Sequence, residues 1–257
     1  MSEQNRKSVP YVMTNKDVGT GALDFSHLLD APAGKHGFVR AKDGKFVFEN
    51  GKTIRFFGVN LVFGAAMPDK EIAVQMADRL AASGINMVRM HHVDAYQVGE
   101  HANTLIDYGE GHSRKLHADN FDRFDFLVSE LKKRGIYIHI DLFTLRRYLP
   151  GDGLDYEDDL SGPLKSVNYY NRRLIDLHKE FIAQYLLHRN PYTGLRYVDE
   201  PAVAIVQILN ENGIFWDNAE VEAPSYRKEL DRRWNEWLLA KLTFPQYSGT
   251  ALQGRQC

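Results

Sequence analysis

A single cysteine in 257 residues, placed last as Cys257, leaves this chain no internal disulfide to form. Long apolar runs are also missing, and no stretch reaches the roughly 20 residues that a membrane-spanning helix needs. The first seven residues, Met1 to Lys7, are polar where a secretion signal would carry an apolar core. Neither sign of charge dominates, because 32 Lys and Arg against 34 Asp and Glu leave a net −2. That balance offers no electrostatic footprint for nucleic acid or an anionic membrane. These absences predict a cytoplasmic chain with no nucleic-acid partner, no membrane and no cofactor. What is present is 44% hydrophobic and 26% charged residues, the make-up of a globular domain with a sizeable core.

Residues 1–36 are polar and irregular, and a domain spans 37–242. It opens on a hairpin, Phe38–Arg40 and Phe46–Phe48 around the turn Lys42-Asp43-Gly44-Lys45, followed by a strand over Ile54–Asn60. A rhythm of strands and helices follows. Pro68-Asp69 starts a helix with Ile72, Met76 and Leu80 at four-residue spacing, ended by Gly84. Ile85–Met90 is a strand. Phe121, Phe124, Leu127, Val128 and Leu131 then mark one face of a helix that stops at Gly135. Ile136–Leu142 is the next strand, and Leu174, Leu177, Phe181 and Tyr185 stripe a helix over about 168–188. Val203–Leu209 reads as a strand buried on both faces. A helix over 225–242 carries Leu230, Trp234, Trp237 and Leu238 on one side. Such alternation predicts an α/β fold, a parallel sheet with helical crossovers. Four units fill the length in which a closed barrel, about 250 residues, fits eight. The expectation is half of a TIM (β/α)8 barrel, with two bare sheet edges through which it would self-associate.

Polar residues gather where these strands end, the rim on which barrels build active sites. Glu211, after the apolar run 203–209, is the first candidate for a catalytic acid, its carboxyl raised by partial desolvation. It could instead cap the next segment or pair with Arg89. Asn210 offers both a donor and an acceptor to a sugar hydroxyl. Arg89 can clamp a carboxylate through two hydrogen bonds or make a structural salt bridge. His91, His92 and Asp94, with His101, His112 and His117 nearby, invite a metal reading. Neighbouring histidines on one strand point to opposite faces, however, so substrate binding or loop anchoring is the expectation and no metal site is predicted. His139 lies inside a strand and reads as a core or helix-facing residue rather than a ligand. Tyr96, Phe215 and Trp216 offer aromatic faces on which a pyranose could stack, Trp216 best, with loop packing over the rim the alternative for Tyr96 and Phe215.

Phe56-Phe57-Gly58-Val59-Asn60, Gly84–Arg89, Gly135–Asp141 and Ile208-Leu209-Asn210-Glu211, with Asn190–Leu195 leading into the last, resemble the cellulase-type glycoside hydrolases. These are family 5 and its relatives among the retaining (β/α)8 enzymes of clan A, and the resemblance covers about residues 37–242. It implies hydrolysis of β-linked sugars, with Glu211 as acid/base, Asn210 on the 2-hydroxyl and Arg89 orienting the nucleophile. Leu142-Phe143 follows Asp141 where the cellulases commonly carry Trp and His, and the His91-His92 pair also departs from their pattern. The family's nucleophile is a glutamate on the seventh strand, and retention requires two carboxyls about 5–5.5 Å apart. Glu220 and Glu222 are poor substitutes, and the aperiodic tail 243–257 reads as a frameshifted or prematurely ended terminus. The expectation is thus a piece of a retaining hydrolase that lacks its nucleophile and is inactive alone. A non-catalytic carbohydrate-binding half-barrel is the alternative, and a metal-dependent barrel hydrolase using His91, His92 and Asp94 a third.

Overall fold

The computed structural model describes residues 23–97, 103–154, 164–213 and 224–242. The expected tail at 243–257 lies outside the described residues, as do Phe215, Trp216, His101, Glu220 and Glu222.

The hairpin forms as β1 (Arg40–Lys42) and β2 (Lys45–Val47), joined by Asp43 and Gly44. Both turn residues have positive φ, +50° and +70°, which matches the right-handed twist of the flanking strands. The strand expected over 54–60 is divided in two. β3 (Thr53–Ile54) completes a three-stranded antiparallel sheet, and β4 (Gly58–Val62) starts a separate parallel one. Asn86 explains the break: its amide accepts from Phe57 N at 2.7 Å and donates to Arg55 O at 2.8 Å, satisfying backbone between the two strands.

The parallel sheet runs β4, then β5 (Met87–His91), then β8 (Tyr137–Asp141), then β9 (Val203–Gln207). Between β5 and β8 a short antiparallel pair, β6 (Ile106–Asp107) and β7 (Lys115–Leu116), sits in the connecting loop. Helix α1 (Lys70–Ala82) follows β4, α2 (Ala118–Lys133) follows β5, α3 (Arg172–Leu187) follows β8 and α4 (Pro224–Leu242) follows β9. Alternation sorts the side chains of each strand. Val88, Met90, Ile138 and Ile140 are fully buried in the main core with the helices. On the opposite face Met87 and Tyr137 pack on Phe48, Ile54 and Phe56 of the small sheet, which plugs the lower end.

Two helices match the sequence and two correct it. Phe121, Phe124, Leu127, Val128 and Leu131 of α2 are buried, and so are Leu174, Leu177, Phe181 and Tyr185 of α3. In α1 the fully buried seam is Ala73, Ala77 and Ala81; of the expected stripe Met76 and Leu80 pack partly buried against the core, while Ile72 is exposed. The small side chains of these alanines fit the close-packed core that α1 shares with α2. In α4 only Tyr226 and Glu229 are buried, and Trp234 and Trp237 stack on each other at 5.2 Å in solvent. Among the described residues no layer covers that side.

The strand at 203–209 is also shorter and less covered than its composition suggests. It stops at Gln207, forms the edge of the sheet, and leaves Val206 and Ile208 exposed. Ala204 is an extra residue against β8, since Ile138 pairs with Val203 and His139 with Ile205. This bulge shifts the phase by one, so that Gln207 shares a face with Arg89 and Asp141.

Candidate active site

At the upper end the inner face turns from apolar to polar. Arg89 and His91 come from β5, His139 and Asp141 from β8, and Gln207 from β9. Arg89 Nη2 donates to Asn210 Oδ1 at 2.7 Å and to Gln207 Oε1 at 3.2 Å, and stands 2.8 Å from Asp141 Oδ2. His91 Nδ1 donates to that same carboxylate oxygen. Gln207 Nε2 donates to Asn210 Oδ1 at 3.1 Å and to Leu209 O at 3.1 Å. His139 Nε2 approaches Asp141 Oδ1 at 3.3 Å without the direction of a hydrogen bond. His139, read from sequence as a core or helix-facing residue, thus faces the polar side, away from the helices.

The Asp141 side chain has no exposed surface. Burial would raise its carboxyl, but the attraction of His139, His91 and Arg89 outweighs burial and holds it below the usual carboxylate range. Asp141 is the hub of this cluster, and sequence reasoning missed it along with Gln207. The signal was there for Asp141: a carboxylate ending an apolar strand, the same feature that singled out Glu211. For Gln207 no local signal exists, since its direction depends on the bulge.

Arg89 clamps Asp141 rather than Glu211. Glu211 follows at φ +52°, a left-handed conformation that turns its side chain outward. It is 56% exposed, not desolvated as its sequence position implied, and lies 3.8 Å from Nζ of Lys165, itself buried. The segment is fastened from both sides. Asn210 N donates to Phe143 O at 3.0 Å, Asn212 Nδ2 donates to Lys165 O at 3.2 Å, and the Tyr169 hydroxyl donates to Asn212 O.

The two histidines are brought together, against the alternation of a strand. β5 ends at His91, and His92 takes φ +56°, so the rings lie 3.6 Å apart. His92 also stacks on Phe63 at 5.0 Å. Burial, then the neighbouring His91, press its pKa below the ordinary value. Phe63 itself has φ +52°, so β4 and β5 are each followed directly by a left-handed residue other than glycine, and Glu211 lies four residues beyond β9. Such strained residues cluster at functional sites.

Two sequence candidates have other employment. Asp94 accepts from the backbone N–H of Thr144 (2.7 Å), Leu145 (3.1 Å) and Arg146 (3.1 Å) and from the Thr144 hydroxyl, so it ties down the loop after β8 and is not free to bind a metal. Among the described residues no three His, Cys, Asp or Glu side chains form a metal-sized group. Tyr96 packs edge-on against Tyr108 at 4.9 Å with the Arg147 guanidinium 5.0 Å over its ring, which is loop packing rather than an open platform. His117 caps α2 by accepting from Asn120 N, and His112 lies beside Glu110.

The family model for Cellulase (glycosyl hydrolase family 5) matches residues 47–187, from the small sheet to the end of α3. The chain belongs to glycosyl hydrolase family 5. Similar curated proteins include mannan endo-1,4-beta-mannosidase 4 of Oryza sativa subsp. japonica, 24% identical over 210 residues, covering 76% of this chain and 42% of that protein. Mannan endo-1,4-beta-mannosidase 3 of the same plant is 26% identical over 190 residues, covering 65% and 36%. Among solved structures, the endo-1,4-beta-mannanase from Rhizomucor miehei superposes with a TM-score of 0.51 at 22% identity, over 68% of this chain and 48% of that one. This family 5 chain therefore spans less than half the length of these relatives. The superposition shows the fold: the four-stranded parallel sheet and its helices are a partial (β/α) barrel.

Proposed function

We propose that this chain supplies the acid/base side of a retaining glycoside hydrolase that cleaves β-linked polysaccharides, with Glu211 as the acid/base. The observation that carries the reading is the side chain of Asn210, fixed at the mouth of β9 by Arg89 and Gln207 directly before Glu211. Its Nδ2 is buried and unpartnered, so a donor stands ready for a sugar hydroxyl beside the carboxyl that would protonate the glycosidic oxygen. Arg89 would orient the nucleophile. In the retaining barrels this sequence resembles, that group stands on the seventh strand, so a carboxylate from further β/α units completes the pair. The names of the rice and Rhizomucor relatives support β-1,4-mannan as the first substrate to try.

The test compares the chain, and any longer form that contains it, on β-1,4-mannan and cellulose by release of reducing ends. Glu211→Gln should abolish turnover by a factor of about 10³ or more in any active form while the far-ultraviolet circular dichroism stays unchanged. Near-normal activity in that variant overturns the assignment. The exposed setting of Glu211 favours one other reading, a carbohydrate-binding half-barrel without turnover. Binding of manno-oligosaccharide with no reducing ends released by any form would support it.

A further inference from the structure

The proposed function uses the Asn210 amide of the polar cluster but not the hydrogen-bond direction at His91. A carboxylate accepts and cannot donate, so the His91 nitrogen bonded to Asp141, Nδ1, must carry a proton. In the neutral imidazole that leaves Nε2 as an acceptor, and among the described residues His91 Nε2 makes no hydrogen bond to protein. Arginine has donors only, so the Asn210 atom facing Arg89 must be the amide oxygen. Gln207 Nε2 reinforces that orientation from the other side. Asn210 Nδ2 is then the free end, buried and without a partner. One carboxylate oxygen, Oδ2 of Asp141, anchors both Arg89 and His91.

We infer that Asp141 is a positioning residue that fixes the His91 tautomer and, through Arg89, the Asn210 amide. The rim thereby offers one hydrogen-bond acceptor, His91 Nε2, and one donor, Asn210 Nδ2, to two hydroxyls of a neutral sugar. This rests on the glycoside hydrolase reading and deepens it, because it says how hydroxyls are recognised. A hydroxyl both donates and accepts and so satisfies either group. A carboxylate or phosphate cannot donate to Nε2, so anionic ligands are disfavoured at that point. Asp141 itself does not touch substrate, since its side chain is wholly covered.

The experiment reads the tautomer directly, by long-range ¹H–¹⁵N spectra of the histidine-labelled chain near pH 8, together with its affinity for mannotetraose. Wild-type His91 should be protonated on Nδ1. Asp141→Asn keeps an amide oxygen for both donors and should retain the tautomer and the affinity within about twofold. Asp141→Leu offers no acceptor and should release the Nδ1–H form and weaken binding about tenfold or more. Should Asp141→Leu fail to fold, His91→Asn decides: it keeps a donor toward Asp141 but lacks Nε2, and is expected to lose the same factor. Wild-type His91 protonated on Nε2, or full affinity in the folded Leu or His91→Asn variant, overturns the proposal. A wild-type chain with the Nδ1–H form and no sugar binding would remove the functional reading and the sugar-recognition role while leaving the positioning role intact.

Discussion

Arg89 and Asn210 meet across the mouth of the sheet, 2.7 Å from Nη2 to Oδ1, although 121 residues separate them in the chain. The contact joins the second strand of the parallel sheet to the fourth over the top of the strand between, where Asp141 supplies the carboxylate that balances the guanidinium. Under the proposed function, recognition and stability would depend on the same side chains.

Removing Arg89 should therefore cost stability as well as function. Arg89→Met leaves the Asp141 carboxylate buried with no full cation beside it, and uncompensated buried charges cost about 3–5 kcal/mol. A loss near the lower figure is expected in urea denaturation, since Arg89 is itself part exposed and His91 and His139 still face the carboxyl.

Acid should weaken the fold through Asp141. Its folded pKa lies below the unfolded value, so its contribution is complete above the ordinary carboxylate range near pH 4 and disappears as pH falls through the lower folded value. Asp141→Asn should flatten the acid limb of a stability-against-pH curve below about pH 4. An unchanged limb would show that other carboxylates set it.

His178 should act in a higher window. Burial, then the charge of Arg146, press its pKa down to about 3, and its Nε2 is bonded to the Tyr148 hydroxyl at 2.6 Å. The unfolded chain takes up a proton near pH 6.5 that the folded chain refuses, so stability falls as pH drops from about 6.5 toward 3. The slope from this residue is at most about 1.4 kcal/mol per pH unit. His178→Gln, titrated by urea denaturation at several pH values, should lose that slope.

The left-handed residues predict an inverted order of substitutions. At Phe63, φ +52°, alanine keeps the strain and loses the ring, whereas glycine loses the ring and relieves the strain. Phe63→Gly should be more stable than Phe63→Ala by about 1 kcal/mol, the reverse of an ordinary loop or strand position. Thermal unfolding of the two variants checks it.

The bare edges predict association. β4 and β9 each lack a neighbour on one side among the described residues, and Val206 and Ile208 stand in solvent at the β9 edge. The chain is expected to sediment as more than a monomer at tens of micromolar, and Val206→Lys to lower the average mass, because a charge on an edge strand opposes further pairing. A monomer at all concentrations would count against this.

Much of the fold was legible in the sequence because it rests on local periodicity. The buried faces of α2 and α3, the strands 87–91 and 137–141, and the Asp43-Gly44 turn all follow from spacing and turn chemistry. The errors came where a neighbour decides. Ile72 is the larger residue, yet Ala73 takes the buried face and Ile72 is exposed; Trp234 looks like a core residue, yet it stays half exposed and, among the described residues, stacks only on Trp237 of its own helix.

The candidate site divides the same way. Its membership was partly visible: polar residues at strand ends named Arg89, His91, His92, Asn210 and Glu211 before any geometry. The sequence by itself determined the alternation of strands and helices and the placing of chemistry at their C-terminal ends, since both follow from neighbours along the chain. Only the tertiary structure decided who holds whom. Asp141 rather than Glu211 takes the arginine, a single bulge at Ala204 swings Gln207 into the network, and a left-handed turn brings His92 against His91. The first two outcomes depend on register between strands 50 or more residues apart and the third on a single backbone angle, none of which side-chain patterning along one segment encodes.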